Sequence, residues 1–240
     1  MGRKEFHRAC RHGQPAGKAG MLRCLLLLCC LVAAPAASAG AWPRAAGEGF
    51  ASVAERLAWP RDFLSGPSNY TTFYLEYGLT DALTVGLDLG HSVSGARKSV
   101  AFAQVPLIDH PVWKMTAQIG MGKINEVPVT RPGLSVGRAV RINDGWGWLA
   151  LDYVVEQSIY TASRDVKLDT TLGVPLPQDR RLILQVQAGK QYGDPRFARL
   201  APSVVMPLRR LPGTYLEVGG TWGVLNEQSV GLLLGAWHEF

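Results

Sequence analysis

The chain has 240 residues, 47% of them hydrophobic, with a formal net charge of +6; that length suffices for one domain with a sizeable apolar surface. The charge is uneven: Arg3, Lys4, Arg8, Arg11, Lys18 and Arg23 against Glu5 put +5 before residue 40, leaving +1 for the rest. A nearly neutral body excludes a nucleic-acid footprint, and all four cysteines (Cys10, Cys24, Cys29, Cys30) also precede residue 40, so the body suits an oxidising compartment.

The first element is a leader. Leu22 to Val32 is an apolar run with Arg23 near its start and Ala33-Ala34-Pro35-Ala36-Ala37-Ser38-Ala39 after it. The small residues of Ala37-Ser38-Ala39 mark a signal-peptidase site with cleavage before Gly40. Residues 1–39 therefore read as a signal peptide, with Met21 as an alternative start, and residues 40–240 as the mature domain. The run is shorter than the roughly 20 residues a spanning helix needs. Cys29 and Cys30 sit inside it, which speaks against a lipidation box.

Beyond the leader the pattern has period two. Phe73, Leu75, Tyr77 and Leu79 alternate with Thr72, Tyr74, Glu76 and Gly78; Leu83, Val85, Leu87 and Leu89 alternate with Thr84, Gly86, Asp88 and Gly90. Similar alternation runs through Trp113–Gly122, Leu149–Glu156 and Val166–Val174. Successive side chains of a strand point to opposite faces, so each segment has one apolar and one polar, glycine-dotted face. Twelve strands are expected, at 47–57, 68–79, 82–93, 98–108, 111–122, 132–142, 146–157, 163–174, 181–191, 197–208, 213–223 and 229–240. Tight connectors such as Thr80-Asp81 and Asn143-Asp144-Gly145 alternate with longer ones such as 58–67 and 123–131. An even number of strands returns both ends to one side, and short periplasmic turns facing longer outer loops are the asymmetry of membrane barrels. The fold class is all-β: a closed, antiparallel, up-and-down transmembrane β-barrel of about twelve strands. Trp59, Trp113, Trp146, Trp148, Trp222, Trp237, Tyr70, Tyr77 and Tyr153 fall near strand ends, as interfacial girdles would.

The last strand carries the most specific motif. Leu232, Leu234, Ala236 and the terminal Phe240 stand at alternate positions, with His238 where an apolar residue is commoner. This strand resembles the recognition strand of bacterial outer-membrane β-barrels, and the hairpin Glu76–Gly86 resembles those of their small channel-like members. The resemblance implies a cell outer-membrane location, outer-membrane lipids as surroundings, and assembly machinery that reads the C-terminal strand. Neither nucleic acid nor a defined substrate is implied.

Chemistry is sparse. Asp88, His91, Ser92 and Ser94 are the weak catalytic candidates, because lipid hydrolases of this membrane pair a strand-end histidine with a serine; the His-x-Ser-Asn run of those enzymes is missing. No cofactor or metal is expected, as the mature chain has no Cys and no ligand-spaced His pair. The polar face supplies the expected lumen lining: Glu76, Asp88, Lys114, Gln118, Asp152, Glu156, Lys167, Asp169, Gln185, Gln187, Lys190, Arg199 and Glu217. Such a lining either borders a narrow water-filled passage or knits the lumen shut. Thr84, on this face, is expected to accept a charge that lipid-facing Leu87 would not. Three functions stay open: a passive channel or structural barrel with a mixed-charge lumen, a lipid hydrolase using His91 with Ser92 or Ser94, and a soluble periplasmic ligand-binding β-barrel.

Overall fold

The structure, a computed structural model, describes residues 40–62 and 66–240. The expected signal peptide 1–39 and the alternative start Met21 lie outside the described residues.

Twelve strands follow in chain order: β1 (Gly49–Pro60), β2 (Ser68–Thr80), β3 (Leu83–His91), β4 (Arg97–Asp109), β5 (Trp113–Ile124), β6 (Val127–Ile142), β7 (Gly145–Ser158), β8 (Arg164–Leu176), β9 (Arg180–Lys190), β10 (Arg196–Pro207), β11 (Thr214–Leu225) and β12 (Ser229–Glu239). Each pairs antiparallel with its neighbours, and β1 pairs with β12, from Phe50 opposite Glu239 to Pro60 opposite Ser229. Closure leaves no strand edge, which is what lets a sheet sit in lipid without unpaired backbone groups.

The start of β1 and the end of β12 lie at one rim, here the terminal end; the connections after β1, β3, β5, β7, β9 and β11 leave from the other, the distal end. The largest departure from the expected strands is β6, which begins at Val127. Asn125 and Glu126 both adopt positive φ, 48° and 66°, and so close β5 and β6 with a two-residue turn. Apart from that turn, the expected long loop 123–131 is strand, because Pro128 and Pro132 are tolerated within β6. The β6–β7 ladder skips Arg131 and Pro132 and resumes at Gly133 opposite Val154.

The period-two pattern sorts the faces. Leu87, Ile119, Met121, Leu149, Leu151, Leu184, Val186, Leu232 and Leu234 are exposed on the outside in an apolar belt. Trp113 at the terminal rim and Trp222 at the distal rim are exposed on the outer parity, with Arg138 and Arg61 lying over their rings, whereas Trp146, on the inner parity of β7, is exposed at the terminal rim under Arg141. Lipid favours such a belt, with amphipathic rings at its margins. Three others of the expected girdle residues point inward. Trp148 is 4% exposed and packs against Gly173, Trp237 donates its indole N–H to Glu217, and Tyr70 lines a cavity.

Candidate functional site: the barrel lumen

The lumen has two unlike halves. At the terminal end it is filled. Phe50, Tyr74, Phe102 and Trp237 turn inward and meet ring to ring, with centroids 6.4 Å apart for Phe50–Tyr74, 6.0 Å for Phe50–Trp237 and 5.6 Å for Tyr74–Phe102. Phe102 and the fully buried Val100 are inward residues of β4, so on this strand the polar-face rule fails: apolar side chains fill the inside.

Against this cluster lies a strap formed by residues 40–48, which precede β1. The Gly47 N–H donates to the Gly78 carbonyl (2.9 Å), and the Gly78 N–H donates to the Glu48 carbonyl (2.9 Å). A side chain at Gly78 would run into the Ala45 carbonyl, and one at Gly137 into the Trp42 ring, so the close approach requires glycine at both positions. The Ala46 N–H donates to Asp81 Oδ1 (2.9 Å) and the Arg44 N–H to Thr84 Oγ1 (3.0 Å). The Arg44 guanidinium donates through Nε to Glu76 Oε2 (2.8 Å) and lies 4.8 Å from the Phe50 ring centre. Tyr74 Oη donates to the other Glu76 oxygen (2.7 Å). At the strap's tip the Gly40 carbonyl accepts from Thr116 Oγ1 (2.7 Å) and from Gln104 Nε2. Thr84 is therefore covered rather than free, and the expectation that it accepts a charge is corrected: an arginine there would displace the strap.

The distal half is open and polar. A cavity of about 520 Å³ reaches the distal loops and is lined by Arg56, Tyr70, Lys98, Glu156, Lys167, Asp169, Gln185, Gln187 and Arg199, among others. One wall is a chain of ion pairs running across five strands. Lys167 Nζ lies 2.7 Å from Glu156 Oε2, Arg131 Nε 4.0 Å from Glu156 Oε1, Arg131 Nη1 2.5 Å from Asp88 Oδ2, and Lys98 Nζ 2.7 Å from the same oxygen. Inward-facing Gly120 on β5 abuts Arg131 Cβ and Val100, leaving the arginine room to lie along the wall. On another wall Arg199 Nε donates to Gln187 Oε1 (2.5 Å), Gln187 to Gln185 (2.7 Å) and Gln185 to Thr171 (3.2 Å), while Arg199 Nη1 reaches Glu227 at 3.3 Å. Signs alternate along these walls, so the passage carries no strong field of either sign.

Twelve of the thirteen expected lining residues share the inward parity. Asp88, Glu156, Lys167, Asp169, Gln185, Gln187 and Arg199 surround the distal half; Glu76, Asp152 and Glu217 lie deeper, Gln118 packs by Gly133, and Lys114 pairs with Asp109 at the terminal rim. Lys190 does not join them. It stands opposite Val166 on β8 and shares its side of β9 with outward Leu184 and Val186, so it is exposed on the outer face. The inward parity on β9 is odd, and Lys190 is even. Trp42, Arg44, Arg56, Lys98 and Arg131 are lumen residues that the sequence reading missed. Arg56 and Lys98 share inward parity on their expected strands and were legible that way; Arg131 falls in the expected loop 123–131, and Trp42 and Arg44 lie outside any strand pattern.

The catalytic candidates are not assembled. His91 is exposed on the outer parity, whereas the next residue, Ser92, is buried on the inner one. Ser92 Oγ instead meets Ser94 Oγ at 2.5 Å and accepts from the Ser94 N–H (3.1 Å) in a turn. Among the described residues no hydrogen bond joins His91 to either serine, so these three residues do not form a base–nucleophile pair.

No protein-family description matches the sequence, and no curated protein is similar enough in sequence to match. Solved structures do match by fold. KdgM porin, solved in complex with disordered oligogalacturonate, superposes with a TM-score of 0.55 at 8% identity over 79% of this chain and 99% of that one; a second KdgM porin structure gives 0.55 at 7% identity over the same shares. An outer-membrane channel from Pseudomonas putida F1 gives 0.49 at 12% identity, covering 85% of this chain and 99% of that one. The closed twelve-stranded barrel thus shares its fold with KdgM porin.

Proposed function

We propose that this chain is an integral outer-membrane β-barrel that works as a small passive channel, open at the outer surface and stoppered at its periplasmic end by residues 40–48. The carrying observation is the asymmetry of the lumen. A water-accessible polar cavity of about 520 Å³ enters from the distal end, and the terminal end is closed by inward wall rings together with a strap that hydrogen bonds and an ion pair join to the wall. The apolar belt outside and the charged lining inside are the reverse of a soluble ligand-binding barrel, whose apolar face is turned inward. The first and last strands begin and end at one rim, as in a chain delivered from the periplasm, and Leu232, Leu234 and Ala236 on the outer parity of β12, with Phe240 after it, are the residues assembly machinery would read.

Cations and anions are mixed in the cavity lining: Arg56, Arg97, Lys98, Lys167 and Arg199 stand with Glu156, Asp165 and Asp169. The channel therefore discriminates by size more than by charge. Planar-bilayer recording tests the reading. The intact barrel is expected to conduct rarely, and removal of residues 40–48 to give long-lived conductance steps with similar potassium and chloride permeability. A deletion variant that inserts, folds and still passes no current refutes the channel and leaves a structural barrel, for which the Phe50–Tyr74–Phe102–Trp237 cluster would be the seal.

A further inference from the structure

The tip of the strap meets a carboxylate, Asp152, that has a hydrogen bond with Ser135 but keeps one oxygen without a partner. Asp152 Oδ1 is buried and has no hydrogen-bond partner among the described residues. Directly opposite it across the sheet stand Ser135 on β6 and a second acid, Asp169, on β8. A buried carboxylate facing another acid is costly unless a cation or several donors reach it. The group pressed against it is Gly40: a methyl group on its Cα would fall 2.0 Å from Asp152 Oδ1 and 3.1 Å from Ser135 Oγ. Gly40 holds a positive φ of 91°, and its carbonyl is fixed by Thr116 and Gln104, so the backbone at this position is pinned rather than passing by.

We propose that the α-ammonium released at Gly40 by signal-peptide cleavage is the partner of Asp152, and that this ion pair latches the strap inside the lumen. The inference rests on cleavage before Gly40 and on the channel reading. Hydrolysis of the Ala39–Gly40 bond consumes one water and leaves a carboxylate on Ala39 and an ammonium on Gly40. The cut is made during export, before the barrel closes, so the mature chain would enter its lumen with the charge already at its tip. A side chain at Gly40 would push into Asp152 and Ser135, and the ammonium is the only cation that residues 40–48 could bring to this depth, since Arg44 is engaged with Glu76. Each further residue ahead of Gly40 would carry the ammonium up to about 3.5 Å away from the carboxylate.

The test crosses two starts with two side chains: chains beginning at Gly40 or with two glycines added ahead of it, each carrying Asp152 or Asp152→Asn. All four are refolded in detergent, their N-termini are verified by mass spectrometry, and mass spectrometry of the envelope form establishes the native start. In the chain beginning at Gly40, Asp152→Asn is expected to lower the unfolding temperature by at least about 2 °C, because it removes the latch. In the extended chain the same substitution should leave the temperature unchanged or raise it, because it removes an uncompensated carboxylate. An equal effect of Asp152→Asn in both backgrounds overturns the latch, as does an envelope form that does not begin at Gly40. Conductance separates this failure from that of the channel. If the strap deletion conducts while the stability cycle shows no coupling, the channel stands and the latch falls. If the cycle shows coupling while no variant conducts, the latch stands as a structural device in a closed barrel.

Discussion

The Arg44–Glu76 pair should hold the strap by its charge, and charge can be removed without removing shape. Arg44→Met keeps an aliphatic stem over Phe50 while deleting the guanidinium. The two side chains are 8% and 1% exposed, and Nε lies 2.8 Å from the carboxylate oxygen. The exposed-pair value of 0–1 kcal/mol therefore does not apply; breaking a pair this buried costs about 3–5 kcal/mol, since Glu76 is left charged among aromatic rings with the Tyr74 hydroxyl donating to one oxygen. Withdrawing the strap would rehydrate Glu76, so most of that cost falls on the closed state alone. The closed-to-open ratio should then drop by roughly two to three orders of magnitude. Adding Glu76→Gln should restore most of the loss, because no bare charge remains. Guanidinium unfolding in detergent, followed by tryptophan fluorescence, reads the stability, and single-channel recording reads the open fraction. The reasoning fails if Arg44→Met unfolds at the wild-type denaturant concentration, or if the double variant is no more stable than Arg44→Met.

Two further outcomes test the faces and the C-terminus. At the centre of β3, Leu87→Arg should destabilise by roughly 2–4 kcal/mol in phospholipid vesicles, whereas Gln185→Arg, which faces the distal cavity, should change stability by no more than about 1 kcal/mol; equal costs would overturn the strand parity. Phe240 is 56% exposed and its ring lies over Gly49, so Phe240→Ala should cost about 1–2 kcal/mol of folded stability yet sharply lower the amount reaching the outer membrane in cells; unchanged cellular levels would refute recognition through this residue.

The twelve strands and their antiparallel order were legible because the environment of a membrane barrel is written residue by residue. Lipid on one side and a polar lumen on the other impose period two, and β3 displays it without interruption. The misread positions have local causes. Positive φ at Asn125 and Glu126 let a two-residue turn replace a loop, and two prolines within β6 imitated a break. Lys190 was placed inside by its charge, although counting from Gln185 and Gln187 puts it outside.

Sequence by itself determined the alternation, the strand number and the apolar exterior, because each depends on a residue and its immediate neighbours in the chain. Tertiary structure alone decided what the lumen is. Val100, Phe102 and Trp148 face inward because the terminal half must be filled as a core is filled, and no pattern along one strand distinguishes a filled half from an open one. The ion-pair chain from Lys98 through Asp88, Arg131 and Glu156 to Lys167 joins five strands spread over 80 positions of sequence, from Asp88 to Lys167. The strap has no periodicity at all, so its path past Gly78, Thr84 and Asp152 becomes visible only once the sheet has closed around it.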